Sequence, residues 1–180
     1  MMLEHKFARL GGDILVTDGT EIAGYASLFG AVDQGGDVVQ AGAYAVSLAA
    51  IGARSGSVKM LWQHDPAQPI GVWDEVREDA RGLWVKGRIL TEVARGREAV
   101  ALIGAGAIDG LSIGYRTVKA RKDDKGGRVL AELELWEVSL VTFPMLPQAR
   151  VAAKGDDPEA ADLRDLAAVF DDARRVLGQV

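Results

Sequence analysis

The sequence contains no cysteine and only two histidines in 180 residues. The missing thiols exclude disulfides, thiol catalysis and thiolate metal sites. The scarcity of imidazole means that chemistry needing a base near neutral pH has few places to go. Of the two, His5 lies in what reads as a ragged N-terminus, which leaves His64. Basic clusters are lacking as well. The formal net charge is −5, and Arg121-Lys122 is followed at once by Asp123-Asp124, which largely cancels its local field. Duplex nucleic acid is therefore a poor partner, because binding it rests on neutralising phosphates. No apolar run approaches the length of a membrane span. The N-terminus, Met1-Met2-Leu3-Glu4-His5-Lys6, does not have the basic-then-apolar layout of a secretory signal. A soluble intracellular protein with no membrane partner is the expectation.

Apolar residues make up 48% of the chain, enough for a sizeable core, and the length suits one domain with an appendage. Alternation predicts a strand over 21–29, broken by turn chemistry at 31–36. An alanine-rich helix is expected over 43–51, ended by Gly52. Ser57 to His64 reads as a strand carrying the histidine near its end, with Trp62 on the same face. Pro66 and Pro69 then argue against regular structure. Strands over 70–77 and 83–90 flank a hairpin loop at 78–82. A helix over 91–105 could be capped by Thr91, with Val93, Val100 and Ile103 inward and Gly104 or Gly106 at its end. Two longer strands, 111–120 and 129–141, are joined by the turn at 122–127. The expected class is mainly β with helices (α+β). Many short antiparallel segments favour a closed or nearly closed barrel, which hides its sheet edges.

The character changes after Lys154. Asp157 suits an N-cap and Pro158 a first helical position. Leu163, Leu166, Phe170, Ala173 and Leu177 then form a narrow apolar stripe on a C-terminal amphipathic helix. The division expected is a barrel domain over 1–153 and a linker with helix over 154–180. That helix could recruit helical scaffold segments or a second copy and later be clipped off as a removable tail, or pack back on the barrel.

Three side chains could carry chemistry. Ser112, in Gly110-Leu111-Ser112-Ile113-Gly114-Tyr115, shares a strand face with Gly114, away from Leu111 and Ile113. The glycine would leave room for a substrate. The bland reading is a small sheet residue. His64 is the remaining imidazole, read blandly as a surface or satisfied core residue. Asp65 is a poor orienting acid for it, because neighbours on a strand point to opposite faces. By parity, Glu137 shares a face with Leu133, Leu135, Ser139 and Val141 and is at least partly buried, so it needs a partner. An arginine or His64 would serve. Glu132 and Glu134 read as solvated acids. Asp33 and Asp37 do not have the ligand set of a calcium loop, and a plain turn fits them better.

Four segments together resemble the prohead (capsid maturation) serine proteases of tailed bacteriophages. They are Tyr25-Ala26-Ser27-Leu28-Phe29-Gly30, Leu61-Trp62-Gln63-His64-Asp65, Gly110-Leu111-Ser112-Ile113-Gly114-Tyr115 and Leu135-Trp136-Glu137-Val138-Ser139-Leu140-Val141-Thr142-Phe143-Pro144. The resemblance covers residues 7–151. That family is related to the herpesvirus assembly proteases, so it implies an antiparallel β-barrel of herpesvirus-protease type ringed by a few helices. It implies Ser112 as nucleophile and His64 as general base. Herpesvirus relatives use a second histidine about as far beyond the serine as Glu137 stands here, which makes Glu137 the best match for the third member. Met145-Leu146 depart from the small or polar residues usual after the Phe-Pro pair, so the oxyanion donors stay unassigned. The implied activity is cleavage of the scaffolding segment of the major capsid protein, and of the protease itself, inside a prohead in the bacterial host cytoplasm. Self-association is compatible with it, and no metal or organic cofactor is required. A non-catalytic capsid scaffold or assembly module with the same barrel is the alternative, and a small-molecule esterase on the same dyad is a third.

Overall fold

In the computed structural model, residues 4–8, 16–17, 19–54, 56–123 and 126–144 are described. The elements in chain order are β1 (Glu4–Ala8), β2 (Val16–Thr17), β3 (Glu21–Leu28), β4 (Asp37–Val39), α1 (Ala45–Ala53), β5 (Lys59–Trp62), β6 (Asp65–Glu78), β7 (Gly82–Ile89), α2 (Ala94–Gly104), β8 (Gly110–Lys122) and β9 (Arg128–Val141). The described part is therefore mainly β with a few helices. The C-terminal helix and the 153/154 boundary lie outside the described residues.

The strands form one sheet in the order β1-β8-β9-β5-β6-β7-β3-β2, with β4 beside β9. Its ladder path ends at β1 and β2, and β3 lies across from β8. The sheet is thus a curled half-barrel; among the described residues no ladder closes it. Nor is it wholly antiparallel, because β4 and β5 both run parallel to β9. The N-terminal segment read as ragged supplies β1, which pairs along β8 from Glu4↔Tyr115 to Ala8↔Leu111.

The hairpin of β6 and β7 forms where the turn chemistry predicts it. Asp79 Oδ1 accepts the N–H groups of Arg81 (2.8 Å) and Gly82 (3.0 Å), which satisfies the turn locally. By contrast, β6 begins at Asp65 and runs through both prolines. Pro69 is opposite Leu61, where the β5–β6 register slips on either side. A bulge demands fewer ladder donors, so proline is tolerated there.

Both helices start later than the residue pattern suggests. Glu78 accepts the N–H groups of Gly42 and Tyr44 in the approach to α1, and the helix proper begins at Ala45 and continues through Gly52. In α2 Thr91 is not the cap. Val93 is extended, and the buried residues are Gly96, Ala99 and Ile103, while Val93 is exposed. Gly96 lies so close to the Leu90 carbonyl oxygen that a Cβ there would overlap it. Its missing side chain lets α2 settle on the end of β7.

The core fills the concave side of the sheet with Ile22, Ala26, Met60, Ile70, Leu83, Leu111, Ile113, Leu130, Leu133, Val138 and Leu140. Each large aliphatic side chain there stabilises the fold by about 1.5–3 kcal/mol relative to exposure. On the outer edge of β9, β4 covers residues 128–130 and β5 covers 137–140. The gap between them is filled by the α1 segment. Ala43 O accepts Leu133 N–H at 2.9 Å, and Ser47 Oγ accepts Leu135 N–H at 2.9 Å. Buried backbone donors must be paired, so α1 is docked where the ladder is interrupted.

Parity along β9 fails at Trp136, and that failure places the site. Gly114 is opposite Glu137 while Tyr115 is opposite Leu135, so Trp136 is an extra residue in a β-bulge. Opposed residues share a sheet face and successive residues alternate. Glu137 therefore does not share a face with Leu133 and Leu135. The core residues switch from Leu133 and Leu135 before the bulge to Val138 and Leu140 after it. Glu137 and Ser139 join Ser112 and Gly114 on the opposite, convex face.

Candidate active site

His64 is not on a strand. It occupies the two-residue turn between β5 and β6, closed by the pair Trp62↔Asp65. Gln63 (φ 51°) and His64 (φ 62°) are both left-handed. This is the turn geometry that suits a tight hairpin and that favours glycine or asparagine. A non-glycine residue pays about 1–2 kcal/mol in that region. The turn is tied down on the β9 side. Gln63 N–H donates to Leu140 O at 2.9 Å, Gln63 Nε2 donates to Thr142 Oγ1 at 2.7 Å, and His64 N–H donates to Ser139 Oγ at 3.1 Å. The expected sharing of a strand face by Trp62 and His64 is lost with the turn. Asp65 instead accepts from Ala67 N–H (2.9 Å) and Gln68 Nε2 (3.0 Å).

From the turn the imidazole reaches over β9. His64 Nε2 is 2.5 Å from Ser112 Oγ, and His64 Nδ1 is 2.5 Å from Glu137 Oε1. The other carboxylate oxygen, Oε2, accepts the Ser139 hydroxyl at 2.5 Å. The parts are buried: Ser112 and Ser139 are 0% exposed and Glu137 is 5% exposed. Ser112 and Ser139 are opposed on adjacent strands. All three residues singled out in the sequence are thus brought into one chain of contacts. The arginine alternative for Glu137 is not what the structure holds. A carboxylate can only accept from the ring, and a ring that donates from Nδ1 in its neutral form presents Nε2 to the hydroxyl as an acceptor.

Gly114 has a different purpose from the one read in the sequence. A Cβ on it would overlap the Glu137 carboxylate. The glycine makes room for the acid rather than for an incoming ligand. Strand alternation puts Ser139 on one face with Glu137 but gives it no role, and nothing in the sequence marks the contacts of Gln63 and Thr142. The one sequence signal for Ser139 is its spacing of two from a buried acid on a strand. The turn left no signal, because neither Gln63 nor His64 is a residue that marks a left-handed hairpin.

A cleft of about 830 Å³ opens beside the imidazole. Its floor is the convex face of β8 and β9, and α1 forms a wall with Val46, Ala50 and Ile51. His64, Glu137 and the bulged Trp136 lie along it. Glu134 and Glu132 on the floor are paired with Arg116 and Lys119. These are partly exposed pairs of small energetic worth. Asp33 and Asp37 lie elsewhere, in a turn: Asp33 Oδ1 accepts Asp37 N–H at 2.8 Å, and Asp37 pairs with Arg128 at 2.6 Å. Among the described residues no group of three or more His, Cys, Asp or Glu could hold a metal. No described helix is long and apolar enough to cross a membrane.

A hydroxyl, an imidazole and a carboxylate in series are the equipment of acyl transfer through serine. The cleft is lined by two of the three, His64 and Glu137, on a curled, mainly β sheet. The chain belongs to the caudovirus prohead serine protease family, whose sequence model matches residues 12–163. It is 32% identical over 149 residues to the prohead protease of Enterobacteria phage HK97, an alignment covering 79% of this chain. This chain spans 64% of that relative's length. The fold is similar to the solved structure of the bacteriophage T4 capsid assembly protease, with a TM-score of 0.63 at 17% identity, covering 79% of this chain and 98% of that one.

Proposed function

We propose that this chain is a serine endopeptidase that cleaves the scaffolding segment of a major capsid protein, and itself, during prohead maturation. The observation that carries the reading is the single imidazole within 2.5 Å of both Ser112 Oγ and Glu137 Oε1. In this mechanism His64 Nε2 takes the Ser112 proton as Oγ attacks the peptide carbonyl carbon. The positive charge that develops on the ring is stabilised by Glu137 through the Nδ1–H bond. The tetrahedral intermediate collapses as His64 returns the proton to the leaving amine. Water then repeats the sequence on the acyl-enzyme. Backbone N–H groups hold the oxyanion in such reactions. The substrate assignment draws on family membership and on the name of the phage HK97 relative. The herpesvirus-type barrel, the removable or recruiting helix over 154–180, and residence inside a prohead in the host cytoplasm belong to the same proposal.

Co-expression with the cognate capsid protein tests it. The native chain should shorten the capsid protein, and Ser112→Ala or His64→Ala should lower the rate by on the order of 10⁶, because such residues act as a unit. Equal processing by the Ser112→Ala chain would remove the assignment. A serine-directed phosphonate separates the enzyme from a non-catalytic assembly module, since the enzyme is labelled at Ser112.

A further inference from the structure

We propose that Ser139 is a positioning residue for this reaction: its one hydroxyl holds both the backbone of the base and the carboxylate of the acid. The inference rests on the serine-protease reading above and concerns a residue outside the Ser112–His64–Glu137 series. The hydroxyl is fully buried, donates its proton to Glu137 Oε2 at 2.5 Å and accepts His64 N–H at 3.1 Å. Each of those groups needs it for a separate reason. His64 is left-handed without being glycine, so its backbone stays there only if outside contacts hold it. Glu137 is buried beside a ring that uses only Oε1, so Oε2 requires its own donor. With Oε2 committed to Ser139, the carboxylate is fixed in rotation and Oε1 is aimed at Nδ1. The three groups come from different places in the chain: the β5–β6 turn, the residue after the Trp136 bulge, and a strand position opposite Ser112. The opposition of Ser112 and Ser139 across the ladder sets the acid and the base in register with the nucleophile.

The role has consequences that simple packing does not. Ser139→Ala should lower kcat by about 10- to 100-fold, the worth of one hydrogen bond to a charged group, with KM within about twofold. Ser139→Cys, which keeps the size and a weak donor, should recover part of the loss. The measurements are turnover of a peptide spanning the mapped capsid-protein cleavage site, the phosphonate labelling rate at Ser112, and thermal melting of each variant. A second readout needs no activity. With only two histidines in the chain, ¹⁵N-histidine labelling in a Ser112→Ala background resolves the His64 Nδ1 proton, expected far downfield from its short bond to Glu137. Adding Ser139→Ala should move that signal upfield or broaden it away, and Ser139→Cys should shift it less. A folded Ser139→Ala chain with unchanged kcat overturns the inference, and so does an unmoved Nδ1 signal. If Ser139→Ala fails to fold, Ser139→Cys decides: native kcat with a native Nδ1 signal overturns the role, and a loss in both supports it. Absence of phosphonate labelling and cleavage in the native chain would instead count against the protease reading, while the Nδ1 signal still reports on Ser139.

Discussion

Gly114 faces the Glu137 carboxylate across the β8–β9 ladder so closely that a Cβ at position 114 would overlap Oε1. The neighbour that would be displaced is the oxygen that holds His64 Nδ1. Gly114→Ala is therefore expected to leave the sheet folded but to push the acid off the ring. A misplacement of about 1 Å costs on the order of 10² in rate. Peptide turnover should fall by at least that factor with a Tm change of a few degrees. Native turnover in a folded Gly114→Ala chain would show that the carboxylate position is not needed.

The left-handed turn makes a prediction about stability that is independent of activity. His64→Gly and His64→Ala remove the same imidazole. At φ 62° glycine is unstrained, whereas alanine keeps the strain. His64→Gly should be the more stable of the two by about 1 kcal/mol, read as a higher Tm. The reverse order would mean that the turn is not left-handed at this residue in solution.

Ser47 links α1 to the interrupted edge of β9 through Leu135 N–H. Removing its hydroxyl leaves a buried donor unpaired, at a cost of about 1–3 kcal/mol. Because α1 is one wall of the cleft, Ser47→Ala should also raise KM more than it lowers kcat. Denaturant unfolding measures the first effect and steady-state kinetics the second.

Asp79 ties the β6–β7 hairpin to β3. Burial acts to raise its pKa, but the N–H groups of Arg81 and Gly82, the Tyr25 hydroxyl and the Arg77 guanidinium all favour the charged form, and the net shift is downward. Tyr25 moves the opposite way, raised by its own burial and by this hydrogen bond to the carboxylate. A folded-state pKa below the unfolded value adds stability that is complete above the ordinary carboxylate range. It is lost as pH falls through the folded value. Asp79→Asn should therefore lower Tm near neutral pH and make little difference in strong acid. Melting curves across that range check the sign.

The hairpin loop, the two long strands of the site and the three candidate side chains were legible because each depends on local chemistry. Asp79 followed by Gly82 turns the chain within its own hydrogen bonds. Ser112 alternates against Leu111 and Ile113, and those two are in the core. The prolines misled, because Pro69 falls at a register slip where its missing N–H costs nothing. Thr91 misled because its helix begins where Gly96 can approach the Leu90 carbonyl, which is a packing event. The parity of β9 found the burial of Glu137 but assigned the wrong face, since the bulge at Trp136 exists only in the pairing with β8.

The amino-acid sequence alone determined which side chains are candidates for chemistry: one mid-chain imidazole, a hydroxyl two residues from a glycine on either side, and an acid in an apolar strand. Side-chain chemistry and strand alternation are properties of short segments, and they are readable there. Tertiary structure decided where those atoms stand. The convex face, the left-handed turn that carries His64 and the bulge that turns Glu137 toward it all arise from contacts between β5, β8 and β9. Such contacts join residues far apart in the chain, and no local pattern encodes them.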